Sequence, residues 1–325
     1  MVFDTETTKL PERRHHSFDK QKSHERSLLK DISLWEKEID EYPSIIQLAY
    51  ILYDTNNPEK SKIYNKYIDI PASVKISDES KSIHHITEEK IKGMSSFSKA
   101  YIYDSLNEFM QDFITADIIV GHNVDFDRRM IVAELLRISK EHNIPHIMEL
   151  MKDENFECTQ EITTPICNLK VEYEYIDRKT NIPKYIYKIK PTKLIEAYKH
   201  YFGYMPDGEH THDAIIDAVI CLRVYGMSFP GKQAFDICNT NDKLREYILK
   251  VSPHNKDTCE LTKKYLEQQT GVIMPGFFEK EKESSASKSS ASKSASSKSA
   301  SSKSASSKSA SAKSASKSKS KSNII

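Results

Sequence analysis

Two acidic residues one position apart, Asp4 and Glu6, follow an apolar opening of Met1, Val2 and Phe3. Side chains alternate along a strand, so both carboxylates would point to one face, about 7 Å apart. Like charges repel by about 4 kcal/mol at 4 Å and an effective dielectric of 20, which disfavours such a pair unless a cation is shared. Taken alone, Asp and Thr can equally end a strand. If further acids converge on the same spot, a divalent metal becomes the natural explanation. Two other stretches offer such acids. In Gly121-His122-Asn123-Val124-Asp125-Phe126-Asp127-Arg128-Arg129, a strand pattern gives way to a helix. His210-Thr211-His212-Asp213-Ala214-Ile215-Ile216-Asp217-Ala218 opens another helix. On that helix Ala214, Asp217, Ala218 and Cys221 recur at i, i+3, i+4 and i+7 and share one narrow face of small residues. Small neighbours let the helix backbone approach a sheet, which a short Asp217 side chain needs to reach a metal there.

The elements that must position these residues can be read from periodicity and turn chemistry. After the opening strand, the polar segment from Lys9 to Tyr42 is expected as a surface insertion with one helix around Ser27 to Glu38. A buried strand from Ser44 to Tyr53 and an alternating one from Lys62 to Ile70 flank a turn at Asn56-Asn57-Pro58 and should form a meander. Thr87 is a predicted N-cap ahead of Glu88 and Glu89. Helical periodicity marks Tyr101 to Ile114 and Phe126 to Lys140, with a short strand from Ala116 to Val120 between them. Alternation between Leu169 and Ile189, around Asp177 to Pro183, predicts a hairpin. Helices are predicted from Thr192 to Tyr201, Asp213 to Tyr225, Asp242 to Val251 and Lys256 to Gln269, with a boundary at Ser228 to Gly231.

A chain of 325 residues, 38% of them hydrophobic, can bury a substantial core. The formal charge of +1 conceals an asymmetry: nine Lys and no acid follow Ser284, which leaves the first 283 residues at −8. In that tail a Lys recurs every fifth residue through Lys313 among Ser and Ala, without an apolar face, and the segment is expected to be disordered. Its lysines would attract nucleic acid by counterion release or serve solubility alone. The five cysteines lie apart, with no CxxC, which speaks against a disulfide framework or a structural zinc site. No apolar run is long enough to cross a bilayer and no signal-peptide pattern opens the chain. A soluble intracellular protein, of cytoplasm or nucleus and with no membrane partner, is expected.

The three motifs together resemble those of the DEDDh, DnaQ-like 3′-to-5′ exonucleases. Asp4-Thr5-Glu6 is similar to that family's Asp-x-Glu, and His122-Asn123-Val124-Asp125-Phe126-Asp127 to its His-Asn-x-x-Phe-Asp. His212-Asp213-Ala214-Ile215-Ile216-Asp217 is similar to its His-x-Ala-x-x-Asp. The order agrees, and the likeness runs from about Val2 to Tyr225. It implies an α/β, ribonuclease H-like fold: a mixed five-stranded sheet, three antiparallel strands first, flanked by helices. It implies an exonuclease domain over residues 1–228 with insertions at about 9–42 and 169–190. A small helical extension at 229–283 and the tail at 284–325 would follow.

By that resemblance Asp4, Glu6, Asp127 and Asp217 would ligate two Mg²⁺ or Mn²⁺ ions, and His212 would be the general base. Asp127 is preferred over Asp125, and His212 over His210, because they match the family's spacing. Thr7, Thr8, His122 and Asn123 would lie near substrate, although His84, His85 and His122 also read as surface or packing histidines. The implied reaction is hydrolysis of phosphodiester bonds at DNA or RNA 3′ ends. The alternative is a nucleic-acid-binding module of the same fold with little or no turnover. The resemblance allows a homodimer and a separate polymerase or repair partner. Only three residues precede Asp4, so the first strand is expected either to be short or to begin upstream of Met1. Arg13, Arg14, His15 and His16 in the first insertion read as a solvated basic loop or as phosphate contacts.

Overall fold

The computed structural model of the protein describes residues 1–140, 142, 147–177, 180, 182–207, 211–228, 234–252, 259–260, 262–263 and 266. All of them fall in the unit Met1–Glu281. The tail from Ser284 and most of the predicted helix from Lys256 to Gln269 lie outside the described residues, as does all but the first residue of the predicted boundary at Ser228 to Gly231.

The first strand, β1 (Val2–Thr7), is followed by helix α1 (Phe18–Leu28), then β2 (Ile45–Leu52) and β3 (Lys62–Ile68). Next come α2 (Asp78–His84), α3 (Glu88–Gly93), the two-residue β4 (Lys99–Ala100) and α4 (Ile102–Phe113). The middle of the chain holds β5 (Ile119–Gly121), α5 (Asp125–Ile138), β6 (Phe156–Cys158) and α6 (Thr159–Cys167). A hairpin of β7 (Lys170–Ile176) and β8 (Pro183–Ile189) precedes α7 (Leu194–Phe202), α8 (Ala214–Ser228) and α9 (Asp242–Val251).

Six strands form one mixed sheet in the order β4-β3-β2-β1-β5-β6. The expected antiparallel meander is present as β1, β2 and β3, while β5 runs parallel to β1 and β6 parallel to β5. The sheet has six strands rather than the expected five, and its short edge β4 runs parallel to β3. Alternation along β1 divides the core. Val2 packs with α7, α8 and α9 on one face, and Phe3 packs with α4 and α5 on the other. Strand β2 follows suit, with Ala49 and Ile51 toward α8, and Leu48 and Tyr50 toward α4. Burial of each such large side chain contributes about 1.5–3 kcal/mol, which pins the register that also aims Asp4 and Glu6.

The first insertion differs from its predicted form. Its helix lies earlier, at α1, and the stretch around Trp35 is a 3₁₀ turn, Ile32–Lys37, capped by Asp31, whose side chain accepts from the Ser33 amide. Tertiary contacts override the helical pattern here: Trp35 is buried, donates from Nε1 to the Leu28 carbonyl at 2.7 Å, and meets Tyr42 edge-on. Arg137 of α5 clamps the insertion's end by donating to the Ile39 and Pro43 carbonyls. Thr87 caps α3 as expected, accepting from the Lys90 amide.

The described part of the extension, residues 234–252, packs into the same core as α8. Ile237, Leu244, Ile248 and Val251 are buried there. A Cβ at Gly226 would meet the Phe235 carbonyl oxygen at 2.5 Å, so the absence of a side chain lets this segment press against α8.

Candidate active site

The site forms at the C-terminal ends of the parallel neighbours β1 and β5, where α5 and α8 both begin. Asp4 and Glu6 share the face of β1 that looks toward α8, opposite Ala49 and Gln47 of β2. The small face of α8 makes the approach possible: Ala214, Ala218 and Cys221 are buried against the sheet, and Asp217 lies between them.

Asp127, in the first turn of α5, reaches the cluster from the other side. Its Oδ1 accepts from the Thr5 amide at 3.0 Å and the Thr5 hydroxyl at 2.7 Å. Gly121 ends β5 just before this helix, and a Cβ there would meet Val124 at 2.8 Å. The tight turn that delivers Asp127 therefore needs glycine. Asp125, the rejected alternative, is more exposed and faces Arg128 at 3.6 Å.

The electrostatics follow from this crowding. Burial, then the charges of Asp127, Asp217 and Glu6, push the Asp4 carboxyl well above the usual carboxylate range. Glu6 is raised in the same way by burial and by Asp217 and Asp127. Burial raises Asp127 to about 7 against the two Thr5 hydrogen bonds. Asp217 is also raised to about 7 by burial, opposed by the His212 amide and assisted by Asp213 and Asp127. Four carboxylates that resist ionisation together are the pattern expected where a cation belongs.

His212 stands at the lip. Its backbone is left-handed (φ 65°), its amide donates to Asp217 Oδ2 at 3.3 Å, and its side chain is about half exposed. Ligand atoms of Glu6, His212 and Asp217 lie within 4.8 Å of one another. Burial, His85 and Lys193 lower the imidazole's pKa, which favours its neutral form. His210 lies outside the described residues. The donor set of carboxylate oxygens with one imidazole at the edge fits Mg²⁺ or Mn²⁺, both hard ions.

The residues expected near substrate separate into two kinds. Asn123 is exposed just ahead of α5 in a left-handed conformation (φ 61°). His122 is engaged at both ring nitrogens, by Thr159 Oγ1 at 3.0 Å and the Thr192 carbonyl at 2.9 Å, and burial lowers its pKa to about 4. It acts as a neutral strut between β5, α6 and the turn before α7. The Thr7 hydroxyl donates to the Lys9 carbonyl and the Thr8 hydroxyl accepts from the Ser44 amide, so both side chains hold the exit of β1. His84 is a packing residue: one ring nitrogen lies 3.2 Å from the Thr7 carbonyl and the other accepts from the Ile86 amide. Arg14 pairs with Glu38 and Glu41 inside the insertion.

Two positioning residues lie outside the three acidic motifs' named ligands. Thr5 supplies both bonds to Asp127, and its place between the two acids was the available signal. Gln47 is fully buried, donates to Asp213 Oδ1 at 2.7 Å and accepts from the Ala214 amide, thereby seating the start of α8 beside β1. A glutamine inside an otherwise apolar strand is the trace it leaves in the sequence.

Among the described residues no helix is long and apolar enough to cross a membrane. No curated protein matches the chain. Among solved structures it is similar to cell-death related nuclease 4 (CRN-4), at 17% identity and a TM-score of 0.38, covering 69% of this chain and 60% of that one. It is also similar to a 3′-exonuclease that recognises the 3′ end of a histone mRNA stem-loop, at 13% identity and a TM-score of 0.37, covering 58% and 57%. The chain thus spans less than two thirds of the length of either. A family model described as exonuclease matches residues 1–225, the span that holds all three acidic motifs. The chain belongs to this exonuclease family.

Proposed function

We propose that the protein is a metal-dependent 3′-to-5′ exonuclease that releases nucleoside monophosphates from the 3′ ends of DNA or RNA. The observation that carries this reading is the convergence of four largely buried carboxylates from β1, α5 and α8 with one half-exposed histidine at their edge. In it Asp4, Glu6, Asp127 and Asp217 hold two Mg²⁺ or Mn²⁺ ions. Bound there, such ions offset the carboxylate charge, polarise the phosphate and stabilise the charge that builds on its oxygens.

The remaining tasks fall to this chain's own groups. Thr5 fixes the Asp127 carboxylate, and Gln47 fixes the helix that carries Asp217. His212 has a lowered pKa, is partly exposed and lies beside Asp217, which suits it to take a proton from the attacking water. Asn123 and the backbone at Thr7 and Thr8 would meet the terminal nucleotide.

The test is digestion of 5′-labelled single-stranded DNA and RNA with Mg²⁺, with Mn²⁺ and with EDTA, beside an Asp217→Ala control. Metal-dependent ladders shortening one nucleotide at a time, absent in the control, are expected. Binding without any release by the folded wild-type protein would replace the enzyme with the nucleic-acid-binding module.

A further inference from the structure

The hairpin of β7 and β8 has no catalytic group of the proposed site, yet it is built as regular structure. Seven residue pairs are in register, from Lys170 opposite Ile189 to Ile176 opposite Pro183. Nearly every residue of both strands is exposed. An isolated two-stranded hairpin is marginal in water, and exposed clusters of large apolar side chains mark contact surfaces. Tyrosines stand on both faces of this arm. Directly opposed residues share a face, so Tyr185 and Tyr187 lie on one side with Glu172 and Glu174, and Tyr173 and Tyr175 on the other with Lys184 and Lys188. These four rings are between 44% and 67% exposed, and Lys188 Nζ sits 5.7 Å from the Tyr173 ring centre.

The base of the arm is tied to the acidic site. Four residues beyond the end of β8, Lys193 acts electrostatically on His212. The Thr192 carbonyl accepts from His122 of the second motif, and the Thr192 amide donates to Thr164. Residues 170–190 carry six basic and three acidic side chains, a net +3 on a body that is otherwise acidic. A basic arm with exposed aromatic rings, rooted beside the site, complements a polyanion whose bases are unstacked.

We propose that this arm is a stacking platform for single-stranded nucleic acid, in which Tyr173, Tyr175, Tyr185 and Tyr187 meet bases while Lys170, Lys184 and Lys188 meet phosphates. The inference deepens the exonuclease reading by giving the strand a path away from the site, and it rests on that reading for the direction of the path. Aromatic platforms bind every base through its face, so the arm selects single strands over duplexes rather than one sequence over another.

The test uses the full chain, a fluorescein-labelled 20-nucleotide oligo(dT) in EDTA, and the double variants Y173A/Y175A and Y185A/Y187A. At least one pair is expected to weaken binding about tenfold or more, while the matching Tyr→Phe pairs stay within about twofold because a ring is retained. Hydrolysis of the p-nitrophenyl ester of thymidine 5′-phosphate with Mn²⁺, a substrate too small to reach the arm, is expected to be unchanged, which also reports an intact fold. Unchanged oligonucleotide affinity in both Ala pairs overturns the proposal. So does unchanged affinity combined with loss of a wild-type dimer by light scattering, which would make the arm a contact between copies. If the wild-type protein hydrolyses neither substrate but the Ala pairs still lose strand binding, the arm stands and the exonuclease reading falls.

Discussion

Arg223 and Asp236 are wholly withdrawn from solvent, and each is answered by the other. The guanidinium donates to both oxygens of Asp236, at 3.0 and 2.9 Å, and lies 4.0 Å over the Phe202 ring. Asp4, Glu6, Asp127 and Asp217 are also largely withdrawn from water, but the charges that act most strongly on Asp4 and Glu6 are the other acids of the cluster. The first set is complete within the chain and joins the 234–252 segment to α8. The second set is, in the proposed function, the one that divalent ions would complete. Burial alone therefore does not distinguish a structural charge from a functional one. The sign of its neighbours does.

The largest expected effect falls on the unmatched set. Asp217→Asn should lower phosphodiester hydrolysis by about 10³-fold or more, a magnitude typical of removing a group that stabilises transition-state charge. The same substitution should raise the melting temperature of metal-free protein at pH 8, since one repelling charge is removed. A variant that keeps its turnover would break the contrast between the two sets.

On the matched set, Asp236→Ala leaves Arg223 buried without its partner and should destabilise the fold by about 3–5 kcal/mol in urea titrations. The hydrolysis rate per folded molecule should be preserved. A loss under about 1 kcal/mol would mean that the pair is not completed as described.

The pH response should differ too. Asp127 and Asp217 are raised from an ordinary value of 3.8 to about 7. A raised folded-state pKa contributes stability at acid pH that is lost as pH climbs through the folded value. Metal-free protein should therefore melt lower at pH 8 than at pH 5.5, and Mg²⁺ or Mn²⁺ should restore the midpoint at pH 8 by binding the ionised folded state. Equal midpoints without metal would show that the acids are not mutually opposed. The smallest effect is expected from Thr5→Val, which removes the hydroxyl bond to Asp127 but keeps the amide bond. A roughly tenfold lower kcat, with a raised metal requirement, follows from losing one hydrogen bond to a charged group.

Much of the site was legible because its residues occur at fixed offsets within single elements. A period of two aims Asp4 and Glu6 together, and the offsets on α8 place Asp217 on its small face. Strand β2 and the β7–β8 hairpin were likewise visible, since a continuous apolar run and a clean alternation each belong to one backbone geometry. The short strands β4 and β6 were missed, because two or three residues carry no readable period. The helix of the first insertion was predicted too late in the chain. There the burial of Trp35 against Leu28 outweighs local propensity.

The sequence by itself thus determined which acids would share a face, because facing is set by the local repeat of a strand or a helix. Only the tertiary structure decided that Asp127 is held by Thr5, that Gln47 seats α8, and that the 234–252 segment completes the core. Each of these joins residues far apart in the chain, and no local repeat encodes such a contact. It arises when the two faces of the sheet bury their apolar side chains and the polar groups trapped beside them must find partners.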